Sequence, residues 1–283
     1  MLDQSLPREV ATPVYRFDAA TPRRRDAAVG DLLTGFRRWR LPAALAWLDL
    51  RNRYRGSVLG PFWMTLSTAA MVFGLGFLYS NLLKVPLPEY LPFVAVSLIL
   101  WNVINQIAND ACTSLTSAEG IIRQMPLPYS VHVLRCVFRN VLIAAHNLPL
   151  ILLVFLVCGI WPRAAWLAAL PGLALLMVNG FFVALFLGML CARFRDIGPI
   201  VGSAMQLLFF LSPVLWKPEL LGPRAEWLLL NPAYTLMEVV RGPLLDGGAG
   251  FGVWLSALVF TGLAAVVAIV FFVRFRGRIA FWV

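Results

Sequence analysis

The sequence predicts an all-α polytopic membrane protein with six transmembrane helices. An N-terminal amphipathic interfacial helix precedes them, and short re-entrant external helices lie between spans five and six. Three observations carry this. Of 283 residues, 60% are hydrophobic and 13% charged, with a mean hydropathy of +0.78. An average soluble domain has roughly 25% charged residues, and a soluble core of this size lacks the polar shell to cover so much apolar surface. The apolar residues are gathered into long uncharged runs, and the basic residues are segregated between them. Net charge is +10, from 24 Lys+Arg against 14 Asp+Glu, and all but Lys84 and Lys217 of the cations are Arg.

Residues 1–30, with Pro7, Pro13, Pro22 and the run Arg23–Arg25, read as a flexible cytosolic tail. That leaves 31–283 as a single transmembrane domain. Asp31 is placed to cap a helix in which Leu32, Phe36 and Trp39 share a face among Arg37, Arg38 and Arg40. Pro42 opens a second stretch, with Leu45, Leu48 and Trp47, Leu50, Tyr54 at helical spacing. An amphipathic helix bearing Arg and Trp lies along a membrane surface. Gly60-Pro61 breaks that stretch and opens the first span, about 62–83. Its uncharged residues reach about 33 Å at the helical rise, enough for a bilayer core of roughly 30 Å. Further spans follow at about 91–109, 134–158, 166–191, 199–215 and 251–273; the second ends in Asn102, Asn105, Gln106 and Asn109. Residues 216–250 are too apolar for a solvated loop and are broken by Pro223, Pro232 and Pro243, which suits two short helices dipping into one leaflet. No internal repeat supports an inverted-repeat carrier.

With the N-terminus inside, 19 of the 24 cations fall on cytosolic segments. The positive-inside rule therefore places both termini in the cytosol. The same distribution accounts for the net charge without nucleic acid, because the cations line edges that meet anionic headgroups. The first 60 residues hold 11 Arg and no uninterrupted apolar core, so no cleavable signal peptide is expected.

Several chemistries are excluded. Lys84 precedes Val85 and Lys217 precedes Pro218, neither after the glycines of GxxxxGK[ST], so this chain carries no P-loop. The two histidines accompany no GxSxG elbow. His132 is expected to face solvent or headgroups; His146, within span three, either makes a polar interhelical contact or relays a proton. Cys112, Cys136, Cys158 and Cys191 lack CxxC spacing and read as free thiols, with no metal site. Spans one, four, five and six are uncharged through their centres, and Asp110 sits where it can face water, so little suggests an ion-driven carrier. The energy for transport is expected from another chain. In the loop after span two, the apolar Ile121, Ile122 and Met125 stand beside Glu119 and Arg123 and are closed by Pro126 and Pro128. This is either a docking knob for a partner or a helix packed on the bilayer surface.

RNRYRGSVLGPFW (51–63) resembles the R-x-RYR-x-S-x-LGP-x-W signature before the first span of ABC transporter permeases of the polysaccharide and polyol-phosphate export type. Arg51, Arg53, Tyr54, Arg55, Ser57, Leu59, Gly60, Pro61 and Trp63 are in register. EGIIRQMPLP resembles that family's N-x-x-LI-x-K-x-x-FP coupling segment at Ile122, Arg123 and Pro126, and departs from it at Glu119 and Gln124. ARFRDIG (192–198), SPVLW (212–216) and Asn231-Pro232 with Arg241 match later family patterns. The resemblance covers 31–283 and implies a half-transporter, not itself an enzyme. Two copies would pair as a homodimer with two P-loop nucleotide-binding subunits, which would bind ATP and Mg; this chain would hold no cofactor. The cargo would be a lipid-linked polysaccharide (O-antigen of lipopolysaccharide, capsule or teichoic acid) moved outward across the bacterial inner membrane.

The resemblance also implies roles. Glu119, Ile121, Ile122, Arg123, Met125 and Pro126 would receive the ATPase's motion, the amphipathic helix would gate the cytosolic mouth, and 217–245 would lie at the external exit. Arg51, Arg53 and Arg55, with Tyr54, stand at headgroup depth. Their guanidinium forks suit a lipid diphosphate, or serve as positive-inside anchors. Among 36 aromatic residues, Phe62, Trp63, Tyr79 and Trp101 are candidates for stacking on sugar faces along a channel. Two alternatives stay open. One is an efflux permease for a small molecule or drug. The other is a polytopic membrane glycosyl- or acyltransferase, with Asp196 beside Arg193 and Arg195 as its nearest acid.

Overall fold

A computed structural model describes residues 24–57, 60, 62–125 and 127–283. Regular structure among them is helical throughout: α1 (Arg24–Arg37), α2 (Arg40–Arg53), α3 (Phe62–Leu83), α4 (Leu87–Thr113), α5 (Glu119–Gln124), α6 (Tyr129–His146), α7 (Leu148–Val157), α8 (Ala169–Arg193), α9 (Ile197–Leu211), α10 (Pro232–Leu245), α11 (Phe251–Phe275) and α12 (Ile279–Trp282). α10 follows a string of 3₁₀ turns over Pro218–Leu230, broken at Gly222.

Five helical stretches are long and apolar enough to cross a membrane: Phe62–Leu83, Leu87–Thr113, Tyr129–Val157, Ala164–Arg193 and Phe251–Trp282. The expected fifth span, 199–215, is instead the 15-residue α9, which ends at Leu211. At helical rise it reaches about 22 Å, short of a roughly 30 Å core. Its early end has a local cause. Pro213 offers no N–H and drives the preceding Ser212 into an extended conformation (ψ 144°). The expected 134–158 span is one stretch with a break. Pro149 cannot donate, and the Leu150 and Ile151 amides turn to the Asn147 carbonyl. The His146 carbonyl is then taken by the Thr65 hydroxyl of α3, at 2.7 Å.

α4 is the central helix. Tyr90 to Trp101 are buried without interruption, and α3, α6, α7, α8, α9 and α10 surround it. α8 packs on both α4 and α11. Gly172 of α8 admits the α10 backbone so closely that a Cβ there would lie 2.4 Å from the Val239 carbonyl oxygen. Residues 216–250 are helical in pieces, 3₁₀ turns on either side of Gly222 and then α10, which is deeply packed among α4, α8 and α11.

The N-terminal region differs from expectation. Residues 24–30 are helical, so α1 begins inside the segment read as tail; residues 1–23 lie outside the described residues. Asp31 falls in the middle of α1 and caps another helix instead. α2 turns Pro42, Ala46 and Leu50 inward and lies on α6, while Trp47 and Leu48 stay exposed. That inward face packs on α6 and leaves Trp47 and Leu48 free for a lipid surface.

Candidate functional site

The arginine-rich end of the bundle holds α5, between α4 and α6. Glu119 and Arg123 pair at 2.8 Å with side chains 45% and 61% exposed. Met125 is exposed and Ile121 half-buried. Ile122 corrects the expectation of an exposed knob: it is 4% exposed, in an apolar cluster with Leu115, Ala118, Ile279 and Val283. α5 is short, and burying one residue fixes it on the bundle. Pro126 lies outside the described residues. Arg123 also donates to the Val283 carbonyl oxygen at 2.8 Å. Glu119, Arg123 and Met125 thus form the exposed rim of α5, with Ile122 as the root beneath them.

α2 is bound to the helix that leaves this element. Asp49 of α2 accepts from Arg135 Nε and Nη2 of α6 at 2.6 and 2.5 Å and lies 3.6 Å from Arg139. Arg139 continues to Asp110 of α4 at 2.8 Å, and Asn140 donates to the same carboxylate at 3.0 Å. Asp110 is therefore held in a half-buried network and does not simply face water. Charges removed from water need this many partners to be tolerated. One helix on, Asp31 caps α6: its carboxylate accepts from the Tyr129 and Ser130 amides at 3.1 and 3.0 Å and from the Ser130 hydroxyl at 2.8 Å. Sequence reading missed this network. Its one available signal was the spacing of Arg135, Arg139 and Asn140 on a single face of α6.

Beyond α2, Arg51, Arg53 and Arg55 are all exposed, and Tyr54 is half-buried, its phenol pushed up by burial against the opposing pull of Arg53. Gly56 and Gly60 adopt positive φ (83° and 53°), and the Gly60 amide donates to the Ser57 hydroxyl at 3.1 Å. The chain can therefore turn from α2 into α3 where residues with a Cβ would be strained. Val58, Leu59 and Pro61 of the signature lie outside the described residues. The four channel candidates are not brought together. Phe62 and Trp63 are exposed at the start of α3, Tyr79 is half-buried near its other end, and Trp101 is buried with its ring 5.4 Å from that of Phe209. Trp101 does line an open groove of about 360 Å³ between α4 and α9, with Asn105, Asn109, Gln206, Phe209 and Phe210. Its mixture of amide and aromatic side chains suits a polar ligand with apolar faces.

The histidines are otherwise placed than expected. His132 is buried, with no hydrogen-bond partner for either ring nitrogen. His146 Nδ1 is 2.7 Å from the Leu142 carbonyl oxygen of its own helix, and its ring meets Phe62 edge-on. Asp196 is exposed, with no ion pair among the described residues.

At the far end, Arg241 of α10 is 1% exposed. It donates to Glu238 at 2.9 and 2.5 Å, to the Ser97 hydroxyl at 2.8 Å and to the Pro213 carbonyl at 2.7 Å, and it lies over the Phe93 ring. The Tyr90 hydroxyl donates to the Leu215 carbonyl. Asn231 caps α10 by accepting from the Ala233 and Tyr234 amides, and donates to the Leu211 carbonyl and the Ser212 hydroxyl. The carbonyls stranded where α9 stops are thereby satisfied by Asn231, Arg241 and Tyr90. Below this node, burial and the charge of Glu238 raise the pKa of Asp246.

Residues 42–245 match the ABC-2 type transporter family. Two proteins of Klebsiella pneumoniae, each an O-antigen export system permease protein RfbA, are 25% and 24% identical over 235 residues, covering 82% of this chain and 90% of theirs. The Myxococcus xanthus protein of that name is 27% identical over 194 residues, 67% of this chain and 74% of its own. The chain is a multi-pass membrane protein of the ABC-2 type transporter family, membership that implies an ATP-binding partner subunit.

Proposed function

We propose that the chain is the membrane subunit of an ATP-driven exporter that carries a lipid-linked polysaccharide outward across the bacterial inner membrane. Two copies pair with two P-loop ATPase subunits, and both termini are cytosolic. The observation that carries this reading is the arrangement at the arginine-rich end. An exposed charged rim on α5 leads into α6, and α6 holds the amphipathic α2 through Asp49. A push received at α5 thus has a path to the helix at the lipid surface, where exposed Arg51, Arg53 and Arg55 can meet a lipid diphosphate. The O-antigen export names of relatives spanning most of the chain support the same cargo.

The test is deletion of the gene in its native host. The exporter reading expects loss of surface glycan and accumulation of lipid-linked glycan on the cytosolic side, restored by the wild-type gene. A groove of about 360 Å³ within one chain is also the size of a drug site. Unchanged surface glycan, with new sensitivity to apolar compounds, would favour a small-molecule efflux permease instead. The exposed, unpaired Asp196 gives no comparable support to a membrane transferase.

A further inference from the structure

Residues 276–283 touch α5 at one end and α1 at the other. At one end, Ile279 and Val283 are buried with Ile122 of α5 in a single apolar cluster, and Arg123 donates to the Val283 carbonyl. At the other end, Arg276 Nε donates at 2.9 Å to Asp31, whose side chain is fully buried, and the Arg276 guanidinium lies over the Tyr129 ring. Between the two, Trp282 stacks near Phe275 and under Arg193 of α8. The Asp31 carboxylate collects four donors, two amides, one hydroxyl and one guanidinium. A fully buried carboxylate with that set is fixed in place, so α1, which carries it, follows the positions of the two segments that supply the donors, the start of α6 and Arg276.

We infer that residues 276–283 are a strut between the coupling helix and the N-terminal helix, with Arg276 as the positioning residue that makes it transmit. Movement imposed on α5 is carried by Ile279 and Val283 to Arg276, and by Asp31 to α1 and the start of α6. The strut rests on the exporter reading, because it needs motion delivered at α5.

Arg276 is partly exposed, so Arg276→Gln removes the ion pair without opening a cavity. The variant is placed in the native host with its ATP-binding subunit. Surface glycan is measured on intact cells, and ATP hydrolysis on the co-purified complex. The strut predicts hydrolysis within about twofold of wild type and about a fivefold or greater drop in glycan delivered per ATP, the scale of a coupling free energy. Arg276→Lys, which keeps a cation beside Asp31, should recover most of the loss. A merely structural residue would lower complex yield, hydrolysis and export together; that outcome overturns the strut, as does failure of either variant to assemble. Wild-type delivery per ATP in Arg276→Gln overturns it too, and leaves the exporter reading standing. If the wild-type complex delivers glycan regardless of ATP, the exporter reading itself fails.

Discussion

The two ends of the molecule solve the same problem, charged groups beside lipid, in opposite ways. At the far end a single guanidinium is wholly buried and each of its nitrogens is hydrogen-bonded, to Glu238, Ser97 or Pro213. Backbones touch there, as at Gly172 against Val239. At the arginine-rich end, apart from the buried Asp31 cap, the charges are half-buried and shared between helices, with Asp49 serving both Arg135 and Arg139. Exposed cations and the positive-φ glycines 56 and 60 follow at once. A closed node resists rearrangement, because opening it leaves an unpaired charge in a low dielectric. A half-hydrated network gives up little when partners are exchanged for water. The contrast assigns holding to the far end and moving to the arginine-rich end.

The largest test of that contrast is Arg241→Met. It leaves Glu238 unpaired and two further acceptors, Ser97 and Pro213, unfilled, so thermal unfolding of the detergent-solubilised protein should show a loss of about 3 kcal/mol. Wild-type stability in that variant would mean that the far end is held by apolar packing alone. Asp49→Asn should cost less, about 1–2 kcal/mol, since Arg135 and Arg139 can recruit water. Its signature is local: amide exchange should quicken in α2 while α10 is unchanged. Exchange that rises equally in both helices would erase the distinction between the ends. Changing Arg51, Arg53 and Arg55 together to Gln should move stability by no more than about 0.5 kcal/mol, because all three are exposed. Surface glycan should nevertheless fall while the amount of assembled complex holds; equal loss of both would reduce these residues to anchors.

Much of the fold was legible because lipid as solvent acts on composition and run length. Five long spans follow from uncharged stretches alone, and the proline-broken 216–250 segment does form helices. The early end of α9 was legible too in principle, since Ser212-Pro213 carries the signal, but a run of apolar residues on both sides masks it. Contacts between distant parts of the chain were beyond reach. Asp31 and Arg276 are 245 residues apart, Asp49 and Arg135 are 86 apart, and no periodicity joins them. Arg241 reads as an outward cation when charges are counted by segment; it is buried because α9 stops short and leaves carbonyls in need of donors. Ile122 reads as exposed because α5 is too short to show a face in sequence, and its burial depends on residues 279–283, which a local window cannot see.

The most direct test of the exporter reading uses sealed vesicles that hold this chain with its ATP-binding subunit and are loaded with lipid-linked glycan from the native host. Adding ATP to the face bearing the ATPase should move glycan to the opposite face, and the chain without its partner should neither hydrolyse ATP nor move glycan. Glycan that crosses equally with and without ATP, or ATP hydrolysis that leaves it in place, would contradict ATP-driven export by this chain.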